Sequence, residues 1–278
     1  MRFQTQSLRF QSPGLRIVSW PESPQIDIVF VHGPRGKHKT DWIKDGTFWP
    51  KDLLANDLGD ARIACWEYKR KVIACFEAMG GTTMEFADEM CNALFHVGGY
   101  GLRPLIFIAH DLGGLLVQRS LANARIGGYP IRESVRNIHA VVFFGLPGTI
   151  QKQVQLLEDF MRESCVLPDR TLGGLERLNS DFWGAVAESN IKLAYCNPTR
   201  QCSRACRSGL GKLDSSFLKN EGQLNQPNSA RIEVEVISIP TCHCAMTKFS
   251  SRGDPGYSKI LDLLQKWSNG PVPEQVSL

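Results

Sequence analysis

The chain has 278 residues, 42% of them hydrophobic, and a formal net charge of +4 at pH 7. This is enough apolar material for one large core, and the small charge with scattered basic residues indicates no nucleic-acid partner. No stretch approaches the ~18 consecutive apolar residues of a membrane-spanning helix. The first residues also lack the apolar segment of a secretory signal peptide.

The cysteines indicate a reducing compartment. There are nine, an odd number, and several lie in apolar strand-like runs, such as Cys65, Cys75 and Cys196. Reduced thiols of this kind are typical of intracellular proteins, so we expect a cytoplasmic location. Arginines at positions 2, 9 and 16 with no acidic residue before Glu22 leave a mitochondrial transit peptide as the minor alternative. The pairs at 202/206 and 242/244 have spacings unusual for structural zinc, so neither a metal nor a cofactor is expected.

Apolar strands and helical segments alternate along the chain. Strands are expected at 15–20, 25–31, 61–68, 105–109, 139–144, 191–196 and 233–239, and helices at 41–54, 83–95, 113–124 and 257–267. A mostly helical insertion is expected at 151–189, and a polar excursion at 198–231. Near-continuous apolar strands separated by helices predict an α/β fold with a parallel sheet covered on both faces. We expect a single domain over residues 1–268 and a flexible tail over 269–278.

One segment carries the strongest functional signal, and it reads Leu105-Ile-Phe-Ile-Ala-His-Asp-Leu-Gly-Gly114. An apolar strand leads to a spacer, a nucleophile position, a second spacer and a glycine, and a helix follows. This is the layout of the nucleophile elbow of α/β hydrolases. The nucleophile there is usually serine, whereas this chain has Asp111.

The chain resembles the serine-esterase-like α/β hydrolases that occur alone or at the N-termini of many fungal NACHT and ankyrin proteins, related to lipase-like proteins with a serine active site. The motifs that carry the resemblance are Asp27-Ile-Val-Phe-Val-His-Gly33, Thr40-Asp-Trp42, Phe48-Trp-Pro-Lys-Asp-Leu-Leu54, Ala61-Arg-Ile63, Arg103-Pro-Leu-Ile-Phe-Ile-Ala-His110, Val141-Val-Phe-Phe-Gly145 and His243-Cys-Ala-Met-Thr-Lys-Phe249. The resemblance implies the α/β-hydrolase fold.

The chain departs from the family pattern at four points. The family pattern is His-Ser-Leu-Gly-Gly where this chain has Asp111, and it commonly has a histidine where this chain has Gly148. Its usual acid position falls at Cys196 and Asn197, and Pro34 follows the His-Gly pair where a backbone donor is expected. These departures argue against ordinary serine-esterase chemistry.

The other catalytic parts are assigned by the same resemblance. His243 follows the last strand, in the order nucleophile, acid, histidine, and is the candidate base; a structural histidine is the alternative. The N–H of Leu112 is the first expected oxyanion donor. Because Pro34 has no N–H, the second donor has to come from Arg35 or Gly36, or is absent.

Asp111 has two interpretations. The sequence His110-Asp-Leu-Gly-Gly114 also looks like the elbow of haloalkane dehalogenases and epoxide hydrolases, in which the aspartate attacks an alkyl carbon and a histidine then activates water. The similarity is five residues long, and a remnant aspartate in a site that has lost its activity is the other interpretation. Leu112 stands where a tryptophan often follows the aspartate in that group.

The sequence leaves the acidic partner of His243 unassigned. Asn197 is one candidate, because asparagine orients the histidine in papain-like triads, and a turn residue beside Pro198 is the blander interpretation. Four other acids lie in segments that could fold back: Asp169, Asp181, Glu188 and Asp214.

Two functions are therefore carried forward. The first is an intracellular hydrolase of a small or lipid-like organic substrate that uses Asp111 with His243. The second is an inactive pseudo-hydrolase that acts as a binding or scaffolding protein. The sequence supplies no basis for an oligomeric state.

Overall fold

The structure is a computed structural model. It describes residues 14–33, 39–68, 89–94, 103–126, 137–147, 149, 151–154, 171–201 and 232–268. Most of the expected helix at 83–95, the middle of the 151–189 insertion, the polar excursion beyond residue 201 and the tail lie outside these ranges.

The strands are β1 Gly14–Ser19, β2 Ile26–Val31, β3 Ile43–Lys44, β4 Thr47–Phe48, β5 Ala61–Glu67, β6 Leu105–His110, β7 Ile138–Phe144, β8 Lys192–Arg200 and β9 Val234–Cys242. Seven of them form one sheet in the order β1-β5-β2-β6-β7-β8-β9. β1 pairs antiparallel with β5, and every other neighbouring pair in this sheet is parallel. The expected mostly parallel sheet is therefore confirmed.

Helices cover both faces of the sheet. They are α1 Ala55–Asp57, which continues a π-helical turn at Pro50–Leu54, α2 Gly113–Ile126, α3 Thr171–Ser189 and α4 Pro255–Ser268. One core lies between the sheet and α2 with α3, and the second lies between the sheet and α4 with the π-helical turn. The central strands β2, β6 and β7 are buried along their whole length because both faces are covered. No helix in the described ranges is long and apolar enough to cross a membrane.

The expected helix over 41–54 is wrong in its first part. β3 and β4 form an antiparallel hairpin there, and the helical conformation begins near Pro50. Asp45 and Gly46 connect the two strands with φ values of 51° and 84°. A two-residue hairpin turn with positive φ at both positions favours Asp-Gly, and this local preference overrides the amphipathic spacing that predicted a helix.

The aromatic residues beside this hairpin are part of the core. Trp42 and Trp49 are fully buried, and both rings pack edge-on against Phe30 of β2 with centroids 5.0 Å apart. Leu178, Phe182 and Trp183 of α3 are likewise buried in the core. These residues therefore hold layers of the fold together instead of forming a ligand pocket.

β8 is longer than expected. It continues to Arg200, so Asn197 lies within the strand and pairs with Ser238 of β9, not in a turn at a strand end. β7 stops pairing with β8 at Cys196, and beyond that point the pairing of β8 is with β9. A proline is tolerated at position 198 because, among the described strands, this part of β8 pairs on one side alone.

Candidate active site

Asp111 lies in the sharp turn between β6 and α2. Its backbone φ is 53°, its N–H donates to the carbonyl of Phe144 at 2.8 Å, and its own carbonyl accepts from Gly114 N–H at 2.9 Å. A left-handed conformation is uncommon for a residue with a Cβ and is typical of strained functional turns. The local geometry is that of a nucleophile elbow.

The glycines after Asp111 are required by close packing. A Cβ on Gly113 would lie 2.3 Å from the carbonyl oxygen of His32, and one on Gly114 would lie 2.6 Å from Cδ2 of Leu146. The first contact is with backbone, which has no room to move aside. The start of α2 therefore approaches β2 and the loop after β7 only because these two positions lack a side chain.

The carboxylate of Asp111 accepts a hydrogen bond from the backbone beside it. The N–H of Leu112 donates to Oδ1 of Asp111 at 2.7 Å. Leu112 is the residue that the sequence predicts as the first oxyanion donor, and the side chain of Asp111 occupies that donor. Asp111 is 5% exposed, so this bond is formed in a largely water-free environment.

His243 lies beside this carboxylate. It begins the turn after β9, it is 3% exposed, and its Nε2 lies 3.3 Å from the carbonyl oxygen of Gly145. Its ring centroid is 5.5 Å from that of His110. One side-chain nitrogen or oxygen from each of His110, Asp111 and His243 lies within 4.8 Å of the other two. The structure thus brings together the two residues that the sequence singles out, and adds His110 to them.

His110 is held by a carboxylate that the sequence analysis did not identify. Nδ1 of His110 lies 2.8 Å from Oδ2 of Asp41, which also accepts the N–H of Gly33 at 2.6 Å. Burial alone would raise the pKa of Asp41, but His110 and the Gly33 hydrogen bond outweigh it and hold that pKa below its ordinary value. Burial likewise works to lower the pKa of His110, and Asp41 outweighs it, so the pKa is raised. Because Asp41 is ionised, Nδ1 of His110 is the protonated nitrogen that donates.

The loop that carries Asp41 is tied to the turn that carries His243. Oγ1 of Thr247 donates to the backbone carbonyl of Asp41 at 2.7 Å, and Nε1 of Trp49 donates to the carbonyl of Thr247 at 2.8 Å. Both Trp49 and Thr247 are fully buried. These bonds fix the position of the His243 turn relative to the Asp41–His110 pair.

The described residues of the loop after β2 supply no second oxyanion donor. The N–H of Gly33 is used by Asp41, and Pro34 in the sequence has none. Arg35 and Gly36, the two other candidate donors, lie outside the described residues, as does Gly148.

Asn197 is half-buried within β8. Asp181 in α3 lies near Arg119. Burial lowers the pKa of Arg119, and the negative charge of Asp181 offsets this in part. Glu188 is exposed at the end of the same helix. Asp169 and Asp214 lie outside the described residues. Asp41 and His110 are the site residues that sequence reasoning missed, although both belong to motifs that carry the resemblance.

A mostly parallel sheet with an antiparallel edge strand, a left-handed residue at the elbow after β6 and a histidine after the last strand define the α/β-hydrolase fold. No family model matches the chain.

Curated relatives share only part of the chain. In an alignment of 143 positions that covers 44% of this chain and 22% of the relative, it is 26% identical to Protein SERAC1 of Mus musculus. In an alignment of 199 positions that covers 61% of this chain and 30% of the relative, it is 24% identical to Protein SERAC1 of Danio rerio. The alignments thus span less than a third of the length of these relatives.

Several solved structures are similar in outline. The acylaminoacyl peptidase of Pyrococcus horikoshii has a TM-score of 0.49 at 12% identity, covering 96% of this chain and 43% of that one. The monoacylglycerol lipase of Paleococcus ferrophilus has a TM-score of 0.47 at 12% identity, and the match covers 92% of this chain and 99% of that one. The class of the fold follows from the sheet order and the elbow described above, and these similarities add no argument about the site.

Proposed function

We propose that this protein is a hydrolase in which the carboxylate of Asp111 is the nucleophile and His243 is the base. The observation that supports it is the placement of a carboxylate at a left-handed elbow, with a buried histidine within 4.8 Å. A carboxylate needs no activating base for attack, unlike a serine hydroxyl. The substrate class that suits it is a small or lipid-like organic molecule with an electrophilic alkyl carbon, such as an epoxide or a haloalkane.

In the first step, Oδ2 of Asp111 attacks the alkyl carbon. The carbon–oxygen bond of an ester forms while the bond to the leaving group breaks, and the leaving group takes the electron pair. A halide departs, whereas the alkoxide of an opened epoxide stays attached to the alkyl group and takes a proton from solvent. Oδ1 stays on the Leu112 N–H, at 2.7 Å in the free protein, and becomes the carbonyl oxygen of the ester. The hydrogen bond therefore aims Oδ2 at the substrate and needs no rearrangement.

In the second step, His243 takes a proton from a water molecule that attacks the Asp111 carbonyl carbon. Negative charge develops on Oδ1, where the Leu112 N–H is already aligned, and a positioned donor of this kind stabilises the oxyanion. The bond between the carbonyl carbon and Oδ2 then breaks and the alcohol leaves with the proton from His243. The carboxylic acid that is formed on Asp111 releases the remaining proton of the water to solvent, which restores the carboxylate with one oxygen from water.

We also propose that the protein works in a reducing, intracellular compartment. Cys65 and Cys196 are buried free thiols, and burial raises the pKa of each. Such thiols are inert and are kept reduced in the cytosol.

A pseudo-hydrolase that binds a partner or ligand is the second candidate function. It is favoured by the two backbone donors that are already used, since Leu112 N–H holds Asp111 and Gly33 N–H holds Asp41. In that case the hydrogen bonds of the elbow are satisfied within the protein, and Asp111 stabilises the turn without reacting.

Adduct trapping separates the two candidates. The full chain and its His243→Ala variant are incubated with a panel of epoxides, haloalkanes and activated esters, and intact mass and peptide mapping are recorded. The proposal expects turnover by the native chain and an accumulating adduct on Asp111 in His243→Ala, with neither in Asp111→Asn. Absence of turnover and of any adduct across the panel would exclude the hydrolase and favour the binding protein.

A further inference from the structure

The second ring nitrogen of His110 is a buried polar atom that the hydrolytic scheme does not use. Nδ1 donates to Asp41, and Nε2 has no hydrogen-bond partner among the described residues. His110 is 8% exposed. A buried polar atom without a partner is destabilising, so its presence in a folded protein calls for an explanation such as a bound ion.

The surroundings of this nitrogen supply two further metal-ligand groups. The ligand atoms of His110, Asp111 and His243 lie within 4.8 Å of one another, and all three residues are buried. Nδ1 of His110 is taken by Asp41 and Oδ1 of Asp111 by the Leu112 N–H, which leaves Nε2 and Oδ2 as the free atoms. Two imidazoles and one carboxylate are the protein ligand set of many catalytic zinc sites.

We propose that His110, Asp111 and His243 bind one divalent transition-metal ion of the zinc class. With bonds of about 2.0–2.2 Å, tetrahedral ligand atoms lie about 3.4 Å apart. The ligand atoms of the cluster lie at most 4.8 Å apart, so each pair has to approach by no more than about 1.4 Å through side-chain rotation to enclose an ion. The fourth position is left for water or a substrate atom.

Asp41 is the outer carboxylate of this site. A metal-bound histidine commonly donates its other N–H to a carboxylate, which fixes the tautomer and makes the imidazole a better ligand. The 2.8 Å contact between Asp41 and Nδ1 of His110 has this arrangement. The serine of the usual elbow offers no comparable ligand, so Asp111 is the residue that completes the set.

The ion and the covalent chemistry exclude each other. A metal on Oδ2 of Asp111 and on a nitrogen of His243 removes both the nucleophile and the base of the proposed reaction, so the bound ion is an inhibitor of adduct formation. The inference does not rest on the proposed hydrolase function, because metal binding is measured directly on the resting protein.

The test uses the full chain, stripped with a chelator and titrated with Zn²⁺ against a chromophoric competitor, and with Co²⁺ monitored by visible absorption. We expect one equivalent to bind, a higher melting temperature with Zn²⁺, and a four-coordinate Co²⁺ spectrum without thiolate-to-metal charge transfer. Mg²⁺ should not compete, because it prefers oxygen ligands in octahedral geometry.

Variants distinguish this site from a cysteine site. His110→Gln and Asp111→Asn should each weaken Zn²⁺ binding at least tenfold, and Asp41→Asn should weaken it about 10–100-fold. The double variant Cys242→Ser/Cys244→Ser should bind as the native chain does, as should His139→Gln, each checked for folding by circular dichroism. Loss of binding in the double cysteine variant, a thiolate band in the native Co²⁺ spectrum, or no binding at all would overturn the proposal.

Discussion

The N–H of Leu112 donates to Oδ1 of Asp111 at 2.7 Å, so the donor that normally stabilises an oxyanion holds the carboxylate at the elbow instead. This one contact is compatible with a nucleophile whose first oxygen is pre-aligned and whose second is free. It is incompatible with the oxyanion hole of a serine hydrolase, in which this N–H is free to bind the carbonyl oxygen of a substrate.

The first prediction concerns serine-directed probes. The native chain should not react with fluorophosphonates, because the elbow carries Asp111 and no serine. Asp111→Ser should react at most slowly, because Pro34 has no N–H and, in the described part of the loop, Gly33 N–H is held by Asp41. A missing oxyanion donor costs about 2.7–4 kcal/mol of transition-state stabilisation. Gel-based labelling measures both proteins side by side, and strong labelling of the native chain would show that its nucleophile lies elsewhere.

The second prediction concerns the space that His243 needs. Gly145 has a φ of 66°, and a Cβ there would come within 2.5 Å of Nε2 of His243. Gly145→Ala should therefore displace the imidazole of His243. It should abolish both Zn²⁺ binding and hydrolysis of the alkyl ester formed on Asp111. Part of its loss of stability is the left-handed conformation itself, about 1–2 kcal/mol.

Gly46→Ala is the matched control for that variant. Gly46 has a φ of 84° and no atom within 4 Å of an added Cβ, so the substitution imposes the same backbone strain without a clash. It should lose a similar increment of stability and keep the site intact. Equal effects of the two variants on Zn²⁺ binding would contradict the placement of His243.

The third prediction concerns the buried pair of Asp41 and His110. Asp41→Asn removes the carboxylate charge that accepts from Nδ1 of His110 and from Gly33 N–H, and losing a hydrogen bond to a buried charged group costs about 1–3 kcal/mol. Urea unfolding at neutral pH should show a loss of this order. Lys266→Gln, which removes an exposed contact with Glu235, should leave the unfolding free energy unchanged within error. A native-like midpoint for Asp41→Asn would mean that the pair is not formed in solution.

The fourth prediction concerns His139 on β7. Burial first, and then the positive charge of Lys192, lower the pKa of His139, although Glu233 and a backbone contact of Trp267 oppose this. The unfolded chain therefore binds the proton at a higher pH than the folded chain, and the unfolding free energy should fall as the pH drops below about 6.5. His139→Gln should make this slope shallower in urea titrations at a series of pH values. An unchanged slope would show that His139 is not a buried neutral histidine.

Much of the fold followed from the sequence because each buried parallel strand is a mostly apolar run. The run of β6 and the glycines after Asp111 located the elbow, since both are local requirements of a tight strand-to-helix turn. The spacing over residues 41–54 predicts a helix, but the two-residue turn at Asp45-Gly46 forms a hairpin there, because the positive φ values of both residues suit a tight turn. The end of β8 was misplaced because Pro198 suggests a strand end unless the pairing on each side is known.

The site was predictable in part for a similar reason. Asp111 and His243 follow strand ends, and the ends of parallel strands meet at one edge of the sheet. Asp41 could not be assigned, because its partner His110 is 69 positions away and only the folded loop brings them to 2.8 Å. Long-range hydrogen bonds of this kind carry no periodic signal in a single sequence.

A single turnover in oxygen-18 water tests directly whether the carboxylate of Asp111 is the nucleophile. The protein in excess is mixed with a substrate found in the panel, digested, and the peptide that carries Asp111 is analysed by mass spectrometry. We expect one heavy oxygen on the carboxylate of Asp111, because water attacks the carbonyl carbon of the alkyl ester. Product alcohol that carries the heavy oxygen, with an unlabelled Asp111, would contradict it.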